Sequence, residues 1–137
     1  MTSDMKSLPL STIAEILGSP LMDVAAAGRE CLTLTSNSSQ AAPGALFVAI
    51  RGAAADGHSF VADAFRRGAV AAVVEEADSL GASPGFIVPN TRAALSRLAG
   101  AFYGEPSAGL GCIGITGTNG KTTTNWIIYH ILNSVGA

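Results

Sequence analysis

Short apolar runs alternate with polar, glycine-punctuated turns along the chain, and most runs have a readable period. Leu10, Ile13, Ile16 and Leu17 share one helical face. Ser11 is placed to cap a helix over Thr12–Leu17, and Gly18 to stop it. Cys31-Leu32-Thr33-Leu34-Thr35 alternates apolar and polar, the period of a strand with one wet face. The polar run Ser36-Asn37-Ser38-Ser39-Gln40 follows, and Pro43-Gly44 turns the chain into a buried strand over Ala45–Ile50. A second loop, Arg51 to His58, precedes a helix over Phe60–Arg67. Ser59 is its cap, Phe60 and Ala64 point inward with Phe65 a further candidate, and Gly68 is its end. Strands are expected over Ala71–Glu75 and Phe86–Val88. Asn90 or Thr91 then caps a longer helix to about Tyr103, with Leu95, Leu98, Ala99 and Phe102 in register and Pro106 as its breaker. The order β-β-α-β-β-α predicts a small α/β domain over residues 1–108.

From Leu110 the pattern changes. Gly111 to Thr116 reads as an apolar strand carrying Ile113 and Ile115. A glycine-rich turn follows, and then a helix with Trp126, Ile127, Ile128, Tyr129, Ile131, Leu132 and Val135, apolar on more than one side. Gly117 and Gly120 lack a Cβ, so the turn can bring its N–H groups close to an anion. The helix opening at Lys121 adds free N–H groups and the positive end of its dipole. Lys121 supplies a full charge, and Thr122 a hydroxyl suited to a magnesium ion. The spacing Gly117-x-x-Gly120-Lys121-Thr122 is shorter than that of the general nucleotide loop. A plain strand-to-helix turn with a solvated lysine is the alternative. It leaves the crowding of Thr118, Thr122, Thr123 and Thr124 unexplained. Residues 109–137 therefore read as the strand, phosphate loop and helix that open a central ATPase domain. A parallel sheet needs further strands, and every carboxylate lies upstream of the loop, the last being Glu105. The expectation is the front of a longer protein.

Composition narrows the partners. The 137 residues are 48% hydrophobic and 13% charged, against about 25% charged in ordinary domains. That suits a chain that buries much of its surface. A net charge of −2 offers no basic footprint for nucleic acid or an acidic membrane. No apolar run approaches the roughly 18 residues of a membrane span, and Met1 to Lys6 shows no signal-type core. Cys31 and Cys112 form neither a disulfide framework nor a metal spacing, and read as small buried or half-buried thiols in a reduced, cytoplasmic setting. The loops Ser36–Gln40 and Arg51–His58 both follow strands and could meet at one edge. Their Ser, Asn and backbone groups could bond a flat uracil ring, although ordinary turn chemistry accounts for the same residues. His58 has no nucleophile around it and reads as a hydrogen-bonding turn residue or the start of the next helix. His130 reads as structural or exposed, Arg66 and Arg67 as a solvated helix end. Glu75 and Glu76 are adjacent and do not form a facing acid/base pair.

The string Ile115-Thr116-Gly117-Thr118-Asn119-Gly120-Lys121-Thr122-Thr123-Thr124 resembles the ATP loop of the Mur ligases, the amide-forming enzymes of bacterial peptidoglycan synthesis. Pro43-Gly44-Ala45-Leu46-Phe47-Val48-Ala49-Ile50-Arg51-Gly52, Asp56-Gly57-His58, Gly68 to Val74 and Asn90-Thr91-Arg92 are similar to that family's first domain. Phe102 to Ser107 with Leu110, and the residue before Gly120, look like the branch that adds the third amino acid to UDP-N-acetylmuramoyl-L-alanyl-D-glutamate. The resemblance runs from Leu34 onward. It implies a first domain that holds the UDP end of the substrate, with Ser36 and Ser38 at the uridine and Ala53, Ala54 and Ala55 in a second contact loop. Asn37-Ser38-Ser39 stands where the family usually has Asp-Ser-Arg. The resemblance further implies ATP on Gly117, Thr118, Asn119, Gly120, Lys121, Thr122 and Thr123, with Mg2+ on Thr122 and Lys121 as the catalytic cation. The implied reaction sends the substrate carboxylate onto the γ-phosphorus, giving an acyl phosphate and ADP, and an amine then displaces phosphate. The amine, diaminopimelate or lysine, would bind downstream. The expectation is an inactive chain by itself and a cytoplasmic monomer at full length. Three readings remain open beside it: the D-alanyl-D-alanine-adding branch, an NTPase or phosphotransferase of another class, and a non-enzymatic UDP-sugar-binding module.

Overall fold

In the computed structural model, which describes residues 7–109 and 111–136, the chain forms two compact units, Met1–Pro106 and Ser107–Ala137. The expectations placed on Met1 to Lys6 and on Leu110 lie outside the described residues. In the first unit β1 (Leu8–Pro9) leads into α1 (Leu10–Leu17) and pairs antiparallel with β2 (Glu30–Cys31). The main sheet holds β3 (Thr33–Thr35), β4 (Ala45–Val48), β5 (Ala69–Val74) and β6 (Gly85–Ile87), side by side in that order and all parallel. α2 (Val61–Arg66) makes the β4-to-β5 crossover. Single 3₁₀ turns at Ser38–Gln40 and Ala77–Ser79 lie in the other two crossovers, and α3 (Thr91–Tyr103) follows β6.

Parallel strands covered on both faces read as unbroken apolar runs, and the two central strands show this. Leu46 and Val48 of β4, with Ala71 and Val73 of β5, pack on α1 and α3 through Leu10, Ile13, Leu98 and Phe102. Phe47, Ala72 and Val74 point the other way, onto Val61 and Ala64 of α2 and onto Leu80. The result is a helix–sheet–helix sandwich with two cores. Arg97 of α3 ties the outer helices together by donating to the Ile16 and Leu17 carbonyls at the end of α1, where a cation suits the helix dipole.

Several boundaries differ from expectation. The strand over Cys31–Thr35 divides at Leu32, whose N–H donates to the Gly44 carbonyl at 2.8 Å. The residues before it pair with β1 and those after it with β4. Helix α1 begins at Leu10, and Ser11 is not its cap. The N–H groups of Leu10 and Ser11 donate to the Arg29 and Ala27 carbonyls, so backbone groups take the role of a side-chain cap. Gly18, at φ +64°, ends α1 as expected. α2 starts at Val61, and Ser59 does not cap it. The Ser59 hydroxyl donates to the Asp56 carbonyl at 2.7 Å instead. Ala64 is buried, but Phe60 is 41% exposed and lies outside the core. Asn90 caps α3 through the Ala93 N–H at 2.9 Å. Gly104, at φ +72°, ends that helix before Pro106 is reached.

In the second unit α4 (Lys121–Ser134) forms as expected. Gly111 to Thr116 is not a strand, and Ile113 is 60% exposed. A strand needs a neighbour to receive its N–H and C=O groups, and none of the described residues pairs with this segment. Cys112 is exposed, contrary to expectation, while Cys31 is buried. Burial pushes the Cys31 thiol up to about 11, so it stays protonated and inert. No helix among the described residues is long and apolar enough to cross a membrane.

The inner core carries the stability of the first unit. Truncating the fully buried Leu98 to Ala should cost about 2–5 kcal/mol, seen as a lower urea midpoint with an unchanged slope. Asn90→Ala, which removes only a cap, should cost about 1 kcal/mol in the same measurement.

Candidate functional site

All four strands of the main sheet point the same way, so the loops that follow them leave from one edge. Crevices at that edge are where ligands bind in open α/β sheets. The loop after β3 and the loop after β4 meet there around a pocket of about 400 Å3. Ser36, Asn37, Ser38 and Ser39 line one side, Ala55, Gly57 and Phe60 the other, and Phe47 lies beneath. Of the expected residues, Ser36, Ser38 and Ala55 line this pocket. Ala53 and Ala54 are exposed and do not.

The first wall is a capped 3₁₀ turn. The Asn37 side-chain oxygen accepts from the Ser39 N–H at 3.0 Å and from the Ser39 hydroxyl at 2.8 Å. The Asn37 N–H donates to the Thr35 hydroxyl at 3.1 Å. A cap needs an acceptor oxygen, not a charge, so Asn37 fills the position where an acid was expected without making the pocket anionic. Behind this wall Asp63 is held below the usual carboxylate range, first by the Arg67 guanidinium and also by the Ser38 hydroxyl.

The second wall is pinned by a network that sequence reasoning did not assemble. Asp56 caps the turn Gly57–Phe60 by accepting from the His58 N–H at 3.0 Å. The His58 ring is buried, with Nδ1 2.6 Å from Asp56 Oδ1, and its Nε2 accepts the Glu75 backbone N–H at 2.9 Å. An Nε2 that accepts carries no proton, so Nδ1 is the donor to Asp56. Glu75 in turn caps α3: its Oε1 accepts from the Thr91 N–H at 3.0 Å and from the Thr91 hydroxyl at 3.1 Å. Arg51 lies 3.5 Å from Asp56, 3.7 Å from Glu75 and in contact with Glu76, and its carbonyl accepts from Arg92 at 2.9 Å. Gly57 is required by space. A Cβ there would sit 2.6 Å from the Ile50 nitrogen. The available signal was topological: Asp56-Gly57-His58 and Asn90-Thr91-Arg92 each follow a strand of one parallel sheet, so they converge.

In the second unit the glycine-rich turn folds as a cradle. Gly120 adopts φ +77°, a left-handed conformation that favours glycine, and it stands at the N-cap of α4. The Thr124 N–H donates to the Gly120 carbonyl at 2.9 Å, which leaves the N–H groups of the first turn without helical partners. A cleft of about 270 Å3 is lined by Thr118, Asn119, Gly120, Lys121, Thr122 and Thr123. The Lys121 ammonium donates to the Gly117 carbonyl across the turn. Among the described residues it makes no salt bridge. Thr122 brings a hydroxyl to the same cleft. These residues fit a nucleotide's phosphates with a bound magnesium ion.

Together these features define an α/β protein with a ligand-type crevice at its strand ends and a separate glycine-rich turn that opens a helix. The profile described as "Mur ligase family, catalytic domain" matches residues 33–103. This chain belongs to the Mur ligase family, whose members are ATP-dependent amide ligases. It is 45% identical over 109 residues to the UDP-N-acetylmuramoyl-L-alanyl-D-glutamate–2,6-diaminopimelate ligase of Geobacter sulfurreducens, covering 79% of this chain and 21% of that protein. It is 48% identical over 109 residues to a UDP-N-acetylmuramyl-tripeptide synthetase of Deinococcus radiodurans, covering 78% and 22%. Among solved structures, MurF from Acinetobacter baumannii matches with a TM-score of 0.69 at 29% identity, over 95% of this chain and 28% of that one. MurF from Thermotoga maritima in complex with ADP matches with a TM-score of 0.52 at 33% identity, over 74% and 23%. The chain thus spans about a fifth of the length of the curated relatives it matches.

The network predicts acid sensitivity. The His58 backbone N–H and ring hold Asp56 below its ordinary 3.8, and the Thr91 N–H holds Glu75 below its ordinary 4.5. Carboxylates depressed in the folded state stabilise it fully above their unfolded values, and that stabilisation is lost as pH falls through the folded ones. Urea midpoints should therefore begin to drop below about pH 5 and keep falling as the two carboxylates take up protons. Glu75→Gln should flatten that drop and lower the plateau at neutral pH.

Proposed function

We propose that this chain is the front part of an ATP-dependent ligase that adds the third amino acid to UDP-N-acetylmuramoyl-L-alanyl-D-glutamate. The observation that carries the reading is the 45% identity, over 109 residues, to a protein named for that reaction. The pocket between Ser36–Ser39 and Ala55–Phe60 would take the uridine end of the substrate, with Ser36 and Ser38 as polar contacts. Ala53 and Ala54, exposed on the same loop, would meet the ligand only at the rim. The turn Gly117 to Thr123 would hold ATP, a role supported by the similarity to Thermotoga maritima MurF, which was solved in complex with ADP.

Mg-ATP supplies a phosphoryl group that turns an unreactive carboxylate into a good acceptor for an amine. The residues here perform the holding. Backbone N–H groups of Gly120 to Thr123 would bind phosphate oxygens. Lys121 would leave the Gly117 carbonyl and offset charge on the β- and γ-phosphates, which lowers the cost of charge movement at the transferring group. The Thr122 hydroxyl would ligate Mg2+. The amine is diaminopimelate or lysine and its site lies on other parts of the full-length protein, which acts as a cytoplasmic monomer. Solved MurF structures match this fold, which keeps the dipeptide-adding branch in view. Their 29–33% identity against 45–48% for the third-residue enzymes favours the latter.

Separate calorimetric titrations of the chain with UDP and with Mg-ATP test this. UDP should bind saturably without ATP, and Lys121→Ala should leave that binding unchanged. The same substitution should weaken Mg-ATP by at least about tenfold, the loss of one charge-assisted contact. No saturable UDP binding, or Mg-ATP binding indifferent to Lys121, would refute the reading.

A further inference from the structure

We infer that Phe60 is the base-stacking residue of the pocket between the β3 and β4 loops, presenting its ring face to a pyrimidine. The inference rests on the proposal that this pocket takes a uridine nucleotide. It goes beyond that proposal in adding a stacking aromatic side chain to the polar contacts of the serines.

Four observations converge on it. Phe60 leads the chain into α2, where helical periodicity would bury it, yet it is 41% exposed while its neighbours Val61 and Ala64 are buried. It lines a pocket whose opposite wall, Ser36 to Ser39, is entirely polar. A flat ring with hydrogen-bonding edges matches an aromatic face opposed to hydroxyl and amide groups. Phe60 is also held rigidly. It ends the 3₁₀ turn Gly57–Phe60, and that turn is fixed by the Asp56 cap, by His58 on the Glu75 N–H and by close approach of Gly57 to Ile50. A rigid aromatic loses little freedom when a base stacks on it. The volume, about 400 Å3, lies at the lower end of small-ligand pockets, which suits a single-ring base.

UDP affinity of the chain and of three variants separates the possibilities. Phe60→Ala should weaken UDP by about 5- to 100-fold, the range for losing one base-stacking aromatic. Phe60→Leu keeps apolar bulk without a ring face and should be weakened at least about fivefold too, whereas Phe60→Tyr should stay within about twofold. Inorganic pyrophosphate, which has no base, should bind all four proteins alike. Because the ring lies outside the core, thermal midpoints should move little. UDP binding within about twofold of the parent chain for Phe60→Ala or Phe60→Leu, with the parent binding well, overturns this inference and leaves the uridine site standing. Absence of UDP binding by the parent chain overturns the uridine site itself.

Discussion

Four parallel strands with both faces covered leave the chain one place to put exposed, chemically useful loops. The strands cannot be joined by tight hairpins, so every connection crosses back over a face and the next strand starts from the same end. The carboxyl ends therefore gather the segments after Thr35, Val48, Val74 and Ile87 along one edge. A serine-rich turn and an arginine-to-histidine loop, separated in sequence by an entire buried strand, become opposite walls of one pocket for this reason alone.

What makes the edge a site rather than a collection of loops is the interlocking of its polar groups. His58 is a hinge pin between three segments: its own turn through Asp56, the end of β5 through the Glu75 amide, and α3 through the Glu75 carboxylate on Thr91. Each group satisfies the next, and no buried side-chain polar atom among the described residues lacks a partner. A network closed in this way rigidifies the wall. It also leaves the pocket surface free of committed charges, since Arg51 is already surrounded by Asp56, Glu75 and Glu76.

Much of this was legible in the order of residues. The apolar runs at Ala45 and Ala71, the Asn90 cap and the glycine stop at Gly18 are local signals, and local signals were enough. The two-loop meeting was also foreseeable, because both loops follow strands. Most of the misreadings come from competing hydrogen-bond partners that the local pattern does not show. Ser11 and Ser59 have good capping chemistry, but remote carbonyls and Asp56 took their places. Leu32 belongs to an alternating run, yet Gly44 breaks the run by taking its N–H. Phe60 has a helical period on its side and still faces the pocket. The apolar segment at Ile113 shows the reverse case. Its pattern asks for neighbours, and an isolated pattern cannot make a sheet.

The contrast between the two thiols has a practical outcome. Cys31 is sealed in the first core, while Cys112 stands in the open a short way ahead of the glycine-rich turn. A thiol-directed fluorophore will therefore react at one position in the unmodified chain. Its place, five residues ahead of Gly117, makes it a built-in attachment point for a probe near the lysine-bearing turn in sequence.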